Sequence, residues 1–191
     1  MVDAKKLGMI RELEGNIDRF AGRAVKEEVM EGSKQLTEKT EKKKMAEWVK
    51  GAMDRLDSLV DEKTRIQIME NCGYKCSEVN KRVIQQAKAR RKKCDSMEDF
   101  LESELRKPMK GTRLVREGNI LYQFYTPSIF RMRCYCALVN SLEGHISKTY
   151  CHCSKAFVKR LWETVLERPV KVDLMQSVLT GDDECKFKIY L

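Results

Sequence analysis

The apolar residues of this chain change period once, near residue 110, and that change constrains the fold more than any other feature. Up to about residue 107 they recur at steps of three and four. Met45, Trp48, Val49, Ala52, Met53, Leu56, Leu59 and Val60 draw the clearest stripe, the signature of a helix that buries one face. Ile10, Leu13, Ile17, Phe20 and Val25 repeat the pattern earlier, and Gly32-Ser33 breaks it. A third helix is expected to end near Asn71, with Cys72-Gly73 as a left-handed cap. Ser77 would cap the next helix, through Val79, Val83, Ile84 and Ala87, and Ser96 with Asp99 a short one holding Phe100, Leu101 and Leu105. Pro108 closes the helical pattern.

After Gly111 the step becomes two. Residues 112–116 and 120–126 flank Glu117-Gly118-Asn119, a hairpin signal. Cys134 to Val139 reads as a third strand and Leu142-Glu143-Gly144-His145 as a turn. His152 to Glu167 returns to helical spacing with Ala156, Phe157, Leu161, Val165 and Leu166. Residues 170–179 and 186–191 make a hairpin around Gly181-Asp182-Asp183. The expected fold class is therefore α+β, with a helical region (residues 1–107) packed on an antiparallel sheet that carries one long helix (residues 108–191), the two forming one unit. Periodicity leaves open whether the Trp48 stripe is buried within the chain or against a second copy, so a homodimer is a candidate assembly.

The chain has 191 residues, 42% hydrophobic and 35% charged, enough for a solvated globular protein with a real core. Met1 to Gly8 lack the apolar run of a signal peptide and no later stretch reaches membrane-span length, so the expectation is a cytoplasmic protein without membrane association, bacterial or archaeal in origin. The net charge of +9 raises a nucleic-acid reading, with Lys88, Arg90, Arg91, Lys92 and Lys93 as its best patch. Acids are interspersed elsewhere, as Glu38 and Glu41 are beside Lys42, Lys43 and Lys44. A solvated helix face accounts for such runs better, and nucleic acid is disfavoured as a partner. Gly-x-Ser-x-Gly, phosphate-loop and His-Glu-x-x-His patterns are absent from the sequence, which disfavours conventional serine-hydrolase, nucleotide-binding and zincin chemistry.

Chemistry enters through eight cysteines. In a reducing compartment they are not expected to be structural disulfides, which leaves metal ligation, catalysis or plain burial. Cys134 and Cys136 would share one face of a strand. Cys151 and Cys153, at the start of a helix, would meet unpaired backbone amides that favour thiolates, making them the most reactive or most metal-competent thiols. Cys185 opens the last strand. These five, Cys134, Cys136, Cys151, Cys153 and Cys185, are the candidate ligands of a zinc ion, the metal suited to thiolate-rich tetrahedral sites. Their spacing fits buried, non-ligating cysteines equally well. Cys72 and Cys76 stand one helical turn apart, but the glycine between them points to a helix end. Cys94 follows the basic run as an ordinary cysteine, and His145 and His152 carry little signal of their own.

The stretch from Tyr150-Cys151-His152-Cys153 through Ser177-Val178-Leu179-Thr180-Gly181-Asp182-Asp183-Glu184-Cys185-Lys186-Phe187 resembles the end of the 4-vinyl reductase domain family. It is also similar to the family named after L-2-amino-thiazoline-4-carboxylic acid hydrolase. Cys151, Gly181, Cys185 and Phe187 match the first pattern, whereas Ser177 stands where its middle cysteine belongs. Serine is a poor zinc ligand, so Cys134, Cys136 or Cys153 would have to supply the missing donor. The resemblance covers the last third of the chain. It implies a sensor-like protein that binds a small apolar or heterocyclic ligand, with Phe157, Leu161 and Trp162 lining the pocket and a zinc site supporting it. The second family implies instead a thiol- or zinc-dependent hydrolase of a sulfur-nitrogen ring, in which Cys151 or a metal-bound water attacks and Glu143, His145 or His152 serves as base.

Overall fold

Periodicity becomes geometry first in the helices. The structure, a computed structural model, describes residues 4–191, with side chains from Leu7 onward; Met1 to Asp3, the first residues of the expected helical region, lie outside the described residues. Helices α1 (Ala4–Ala21), α2 (Arg23–Val29), α3 (Lys42–Leu59), α4 (Glu62–Val79), α5 (Lys81–Arg91) and α6 (Met97–Arg106) precede strands β1 (Thr112–Glu117) and β2 (Ile120–Tyr125). Helix α7 (Lys148–Leu166) and strands β3 (Lys171–Gln176) and β4 (Cys185–Tyr190) complete the chain. The α+β class read from the sequence is the observed one.

Local chemistry sets several boundaries. The Ser96 hydroxyl accepts from the Asp99 amide at 3.0 Å while Asp99 accepts from the Ser96 amide, also at 3.0 Å, the reciprocal box expected at the start of α6. Ser147 caps α7 by accepting from Thr149 N. Between β1 and β2 only Gly118 and Asn119 are unpaired, and Gly118 takes the positive φ of 58° that so tight a turn demands.

Two expected boundaries are corrected. Helix α4 runs without a break through Cys72 and Gly73 to Val79; Gly73 is no cap, and the Ser77 hydroxyl donates back to Tyr74 O at 2.6 Å inside the helix. The true break is Asn80. Residues 134–139 form no strand: the segment between β2 and α7 is irregular beyond a short turn at Pro127–Phe130. It is pinned by the Asn140 side chain, which accepts from Arg133 N at 2.8 Å and Cys134 N at 3.2 Å. The Arg133 guanidinium also donates to the carbonyls of Leu142 and Gly144. These bonds satisfy a backbone that no sheet edge reaches.

The sheet is antiparallel throughout, in the order β1-β2-β4-β3. Helix α7 lies between it and α4, and α4 with α7 make the most extensive contact between any two elements. One contiguous apolar core runs from Ile10 to Ile189, so the helical region and the sheet share it. The α3 stripe belongs to that core, with Met45, Val49, Ala52, Met53 and Leu56 buried inside the chain. It needs no second copy to cover it. On the sheet face away from α7, cations lie over aromatic rings: Arg113 is 3.6 Å from the Phe124 ring centre and Lys186 4.5 Å from that of Tyr122. Among the described residues no helix is long and apolar enough to cross a membrane.

Candidate functional site

Gly73 explains why the cysteines of α4 and α7 meet. A Cβ at that position would stand 2.2 Å from Cys153 O and 2.7 Å from the Ala156 Cβ, so only glycine lets the two helices approach this closely. Cys72 and Cys76 flank that contact and find different partners. Asn16 Nδ2 donates to Cys72 Sγ at 3.5 Å, but burial dominates and pushes the Cys72 thiol up to about 12. Cys76 is half-buried, and Asn80 Nδ2 donates to its sulfur at 3.4 Å. The neighbouring Cys153 thiol is the larger cause, and together they bring the Cys76 thiol from its ordinary 9.0 down to about 7. A thiol made more acidic by folding stabilises the fold above its ordinary value, and that contribution is lost as the pH falls through about 7.

Two further thiols pair with hydroxyls. Cys136 Sγ lies 3.0 Å from the Tyr150 hydroxyl and Cys151 Sγ 2.9 Å from Ser177 Oγ. Ser177 is almost wholly buried, accepts from Leu179 N at 3.1 Å, and has its own amide bound by Asp182 at 2.8 Å. The hairpin serine thus presents a hydroxyl to Cys151. Replacing Ser177 with alanine is expected to cost about 1–3 kcal/mol in a urea titration, since it strands Leu179 N and the Cys151 thiol in the interior; an unchanged midpoint would show the hydroxyl to be idle.

Burial raises the pKa of Cys134, Cys136 and Cys185, takes Cys151 up to about 12, and adds to the effect of the neighbouring Cys76 in raising Cys153. The expectation that the α7 cysteines are the most reactive is therefore corrected: desolvation outweighs the helix-start amides, and the acidic thiol is Cys76 on the facing helix. Among the described residues no three histidine, cysteine or carboxylate side chains come together as a metal requires.

The hydrolase candidates are dispersed. Glu143 is exposed and paired with Lys43 at 3.0 Å. His145 lies over Gly181, whose added Cβ would be 3.2 Å from its Nε2. Among the described residues the buried His152 Nδ1 has no partner, and burial lowers the pKa of the ring. None of the three hydrogen-bonds Cys151, whose raised pKa also makes it a poor nucleophile.

A cavity lies at the other end of α7. Val83, Ala87, Phe100, Met109, Leu114, Leu161, Trp162 and Val165 give it apolar walls, and Arg90, Glu104, Thr112 and Gln123 supply polar groups. Water centres fit in about 30 Å³, within a cleft that encloses about 400 Å³ when its mouth is included. Buried Glu104 accepts two bonds from Arg90, at 2.6 and 3.1 Å, and the Trp162 indole donates to Gln123 Oε1 at 2.7 Å. Of the three residues expected to line a pocket, Leu161 and Trp162 do so. Phe157 is half-buried and stands outside it. Arg90, Glu104 and Gln123 were not foreseen as site residues, because they come from α5, α6 and β2 and only tertiary packing brings them to α7. Arg90, placed by its sequence in a basic patch, is committed to Glu104.

The fold and these two sites define a cysteine-rich α+β protein built on one central helix. The chain belongs to a family of unknown function, DUF6144, whose model matches residues 1–191. No curated protein matches it.

Proposed function

We propose that the protein is a cytoplasmic, sensor-like binder of a small, largely apolar ring compound, which it takes up in the cavity beneath α7. The observation that carries this reading is the lining itself: eight apolar side chains converge with one amide, one ion pair and one hydroxyl, the composition of ligand pockets in general. The enclosed space of about 30 Å³ is far below the roughly 300–1,000 Å³ of formed ligand pockets, so side chains must part for a ligand to enter. The ring of the ligand would lie against Trp162 and Leu161, and a polar edge would meet Gln123 or the Arg90–Glu104 pair. Each polar group already has a partner, so a ligand must offer an equivalent bond to displace it. The thiols at the opposite end of α7 take no part in this binding.

Trp162 provides the readout. In a Trp48→Phe background, a panel of small aromatic hydrocarbons and thiazoles should include compounds that change its fluorescence saturably. Ala87→Leu, which fills the cavity, should weaken that response at least about tenfold, the effect of losing roughly 1.4 kcal/mol of contact. No saturable change with any compound, or binding unaltered by Ala87→Leu, would overturn the assignment. Elemental analysis of protein purified without chelator tests the metal separately: about one zinc per chain with four protected thiols would require the pairs described above to rearrange.

A further inference from the structure

We propose that the sheet face turned away from α7 is a platform for single-stranded nucleic acid, where tyrosine rings stack on unpaired bases and the cations between them hold the phosphates. Register and strand alternation assemble it. Arg113 stands opposite Phe124, Phe124 opposite Lys186, Tyr122 opposite Lys188 and Tyr190 opposite Lys171, so all project from one face. Lys186 lies 4.5 Å from the Tyr122 ring centre and 5.5 Å from that of Phe124, while Lys171 and Lys188 lie 4.7 and 4.9 Å from that of Tyr190. Phe124 is buried beneath its cations, whereas both tyrosines are half-exposed. Helices α6 and α7 pack on the opposite face, which also carries Thr112, Leu114 and Gln123 of the proposed ligand cavity. The platform is therefore a separate site and stands or falls apart from that cavity.

Charge and ring geometry together select the occupant. Arg113 and Lys171 are shared with Glu184 at 2.6 Å and Asp173 at 3.6 Å, but among the described residues Lys186 and Lys188 form no ion pair. These two ammonium groups rest against rings instead, so a base that stacks on Tyr122 or Tyr190 frees a cation for the phosphate beside it. Stacking faces interleaved with cations are what a single strand needs, because every base has a π-face and every linkage a charge. A duplex keeps its bases stacked on one another and cannot use the rings. A second copy would bring the same cations against these and be repelled. Val115 and Ile120, the apolar residues of this face on β1 and β2, lie at its margin, which leaves little for a lipid or an apolar helix to bury. The basic run of α5 lies among the helices and supplies charge alone, and its Arg90 is committed to Glu104. The sheet adds what that run lacks, aromatic rings set between the cations.

The test is to titrate the full chain into a fluorescein-labelled oligouridylate of about twelve nucleotides at about 50 mM salt and follow anisotropy. Saturable binding is expected, with log K falling against log salt at a slope of about −2.8 if all four cations meet phosphates. Lys186→Gln and Lys188→Gln should each make that slope shallower by about 0.7, and the double variant should bind at least about tenfold more weakly. Tyr122→Ala and Tyr190→Ala should each weaken binding about fivefold or more with the slope unchanged, while Tyr122→Phe, which keeps the ring, binds as the wild type does. On the wild-type protein, a 4-thiouridine-substituted strand should photocrosslink to Tyr122, within the tryptic peptide of residues 117–131. Absence of saturable binding, a duplex bound as tightly as the single strand, or crosslinks confined to α5 would overturn the proposal. So would alanine variants of both tyrosines that bind unchanged, or an oligoglutamate of equal charge that competes as well as unlabelled RNA, since either result would leave only a polycation.

Discussion

Substituting Gly73 with valine is expected to destabilise the protein by about 3 kcal/mol, the upper end of what overpacking a filled interior costs. The atom in the way is the backbone oxygen of Cys153, 2.2 Å from the new Cβ, and a backbone cannot rotate aside as a side chain can. Alanine brings the same Cβ, and its helix-propensity gain of about 1 kcal/mol over glycine does not offset the separation of α4 from α7. Gly51 is the internal control. It also lies within a helix, but there the nearest atom to an added Cβ is the flexible end of Arg55 at 3.4 Å, so Gly51→Ala should leave stability unchanged or raise it by up to about 1 kcal/mol. Urea midpoints of the three variants decide the matter: a Gly73→Ala protein as stable as the wild type would mean that the helices are not in the contact described. Parting the helices should also return Cys76 towards its ordinary acidity, visible as a shift of its alkylation profile to higher pH.

Phe187→Ala should be comparably severe, about 3–5 kcal/mol, because it empties a fully buried aromatic site at the centre of the sheet. Phe187 sits on β4 opposite Gln123 and Leu174 and meets the Tyr125 ring edge-on at 5.2 Å between centres. Strands pair on both sides of it and α7 packs on the sheet, so the surroundings have little freedom to collapse into the void. Phe187→Leu retains most of the volume and should lose roughly half as much. Equal midpoints for the alanine variant and the wild type, measured by urea and by thermal unfolding, would place Phe187 outside the core.

Much of the fold could be read from residue order because the interactions responsible are local or periodic. The apolar stripe of α3, the Ser96–Asp99 box, the Gly118 turn and the return to helical spacing at α7 are each encoded within a few residues. Leu161 and Trp162 could be selected as cavity residues for the same reason, since both lie on the buried stripe of one helix. The misreadings share a cause as well. Cys72-Gly73 looks like a helix cap and Cys134 to Val139 like a strand when only neighbours are consulted. In the first case a facing helix uses the glycine for close contact; in the second Asn140 satisfies the backbone that a sheet would otherwise have taken.

The sequence by itself determined the α+β class and the element order along most of the chain. Tertiary structure alone decided which cysteine is acidic. Spacing favoured Cys151 and Cys153, at the start of a helix, but a thiol's pKa follows its burial and the donors that reach it. Burial raises Cys151, whereas Cys153 and Asn80 hold Cys76 down. Tertiary structure likewise decided that Arg90, Glu104 and Gln123 join Trp162 around one cavity. Helical and strand periods express forces between residues close in the chain; desolvation and hydrogen bonds between separate elements depend on distances that exist only once the chain has folded.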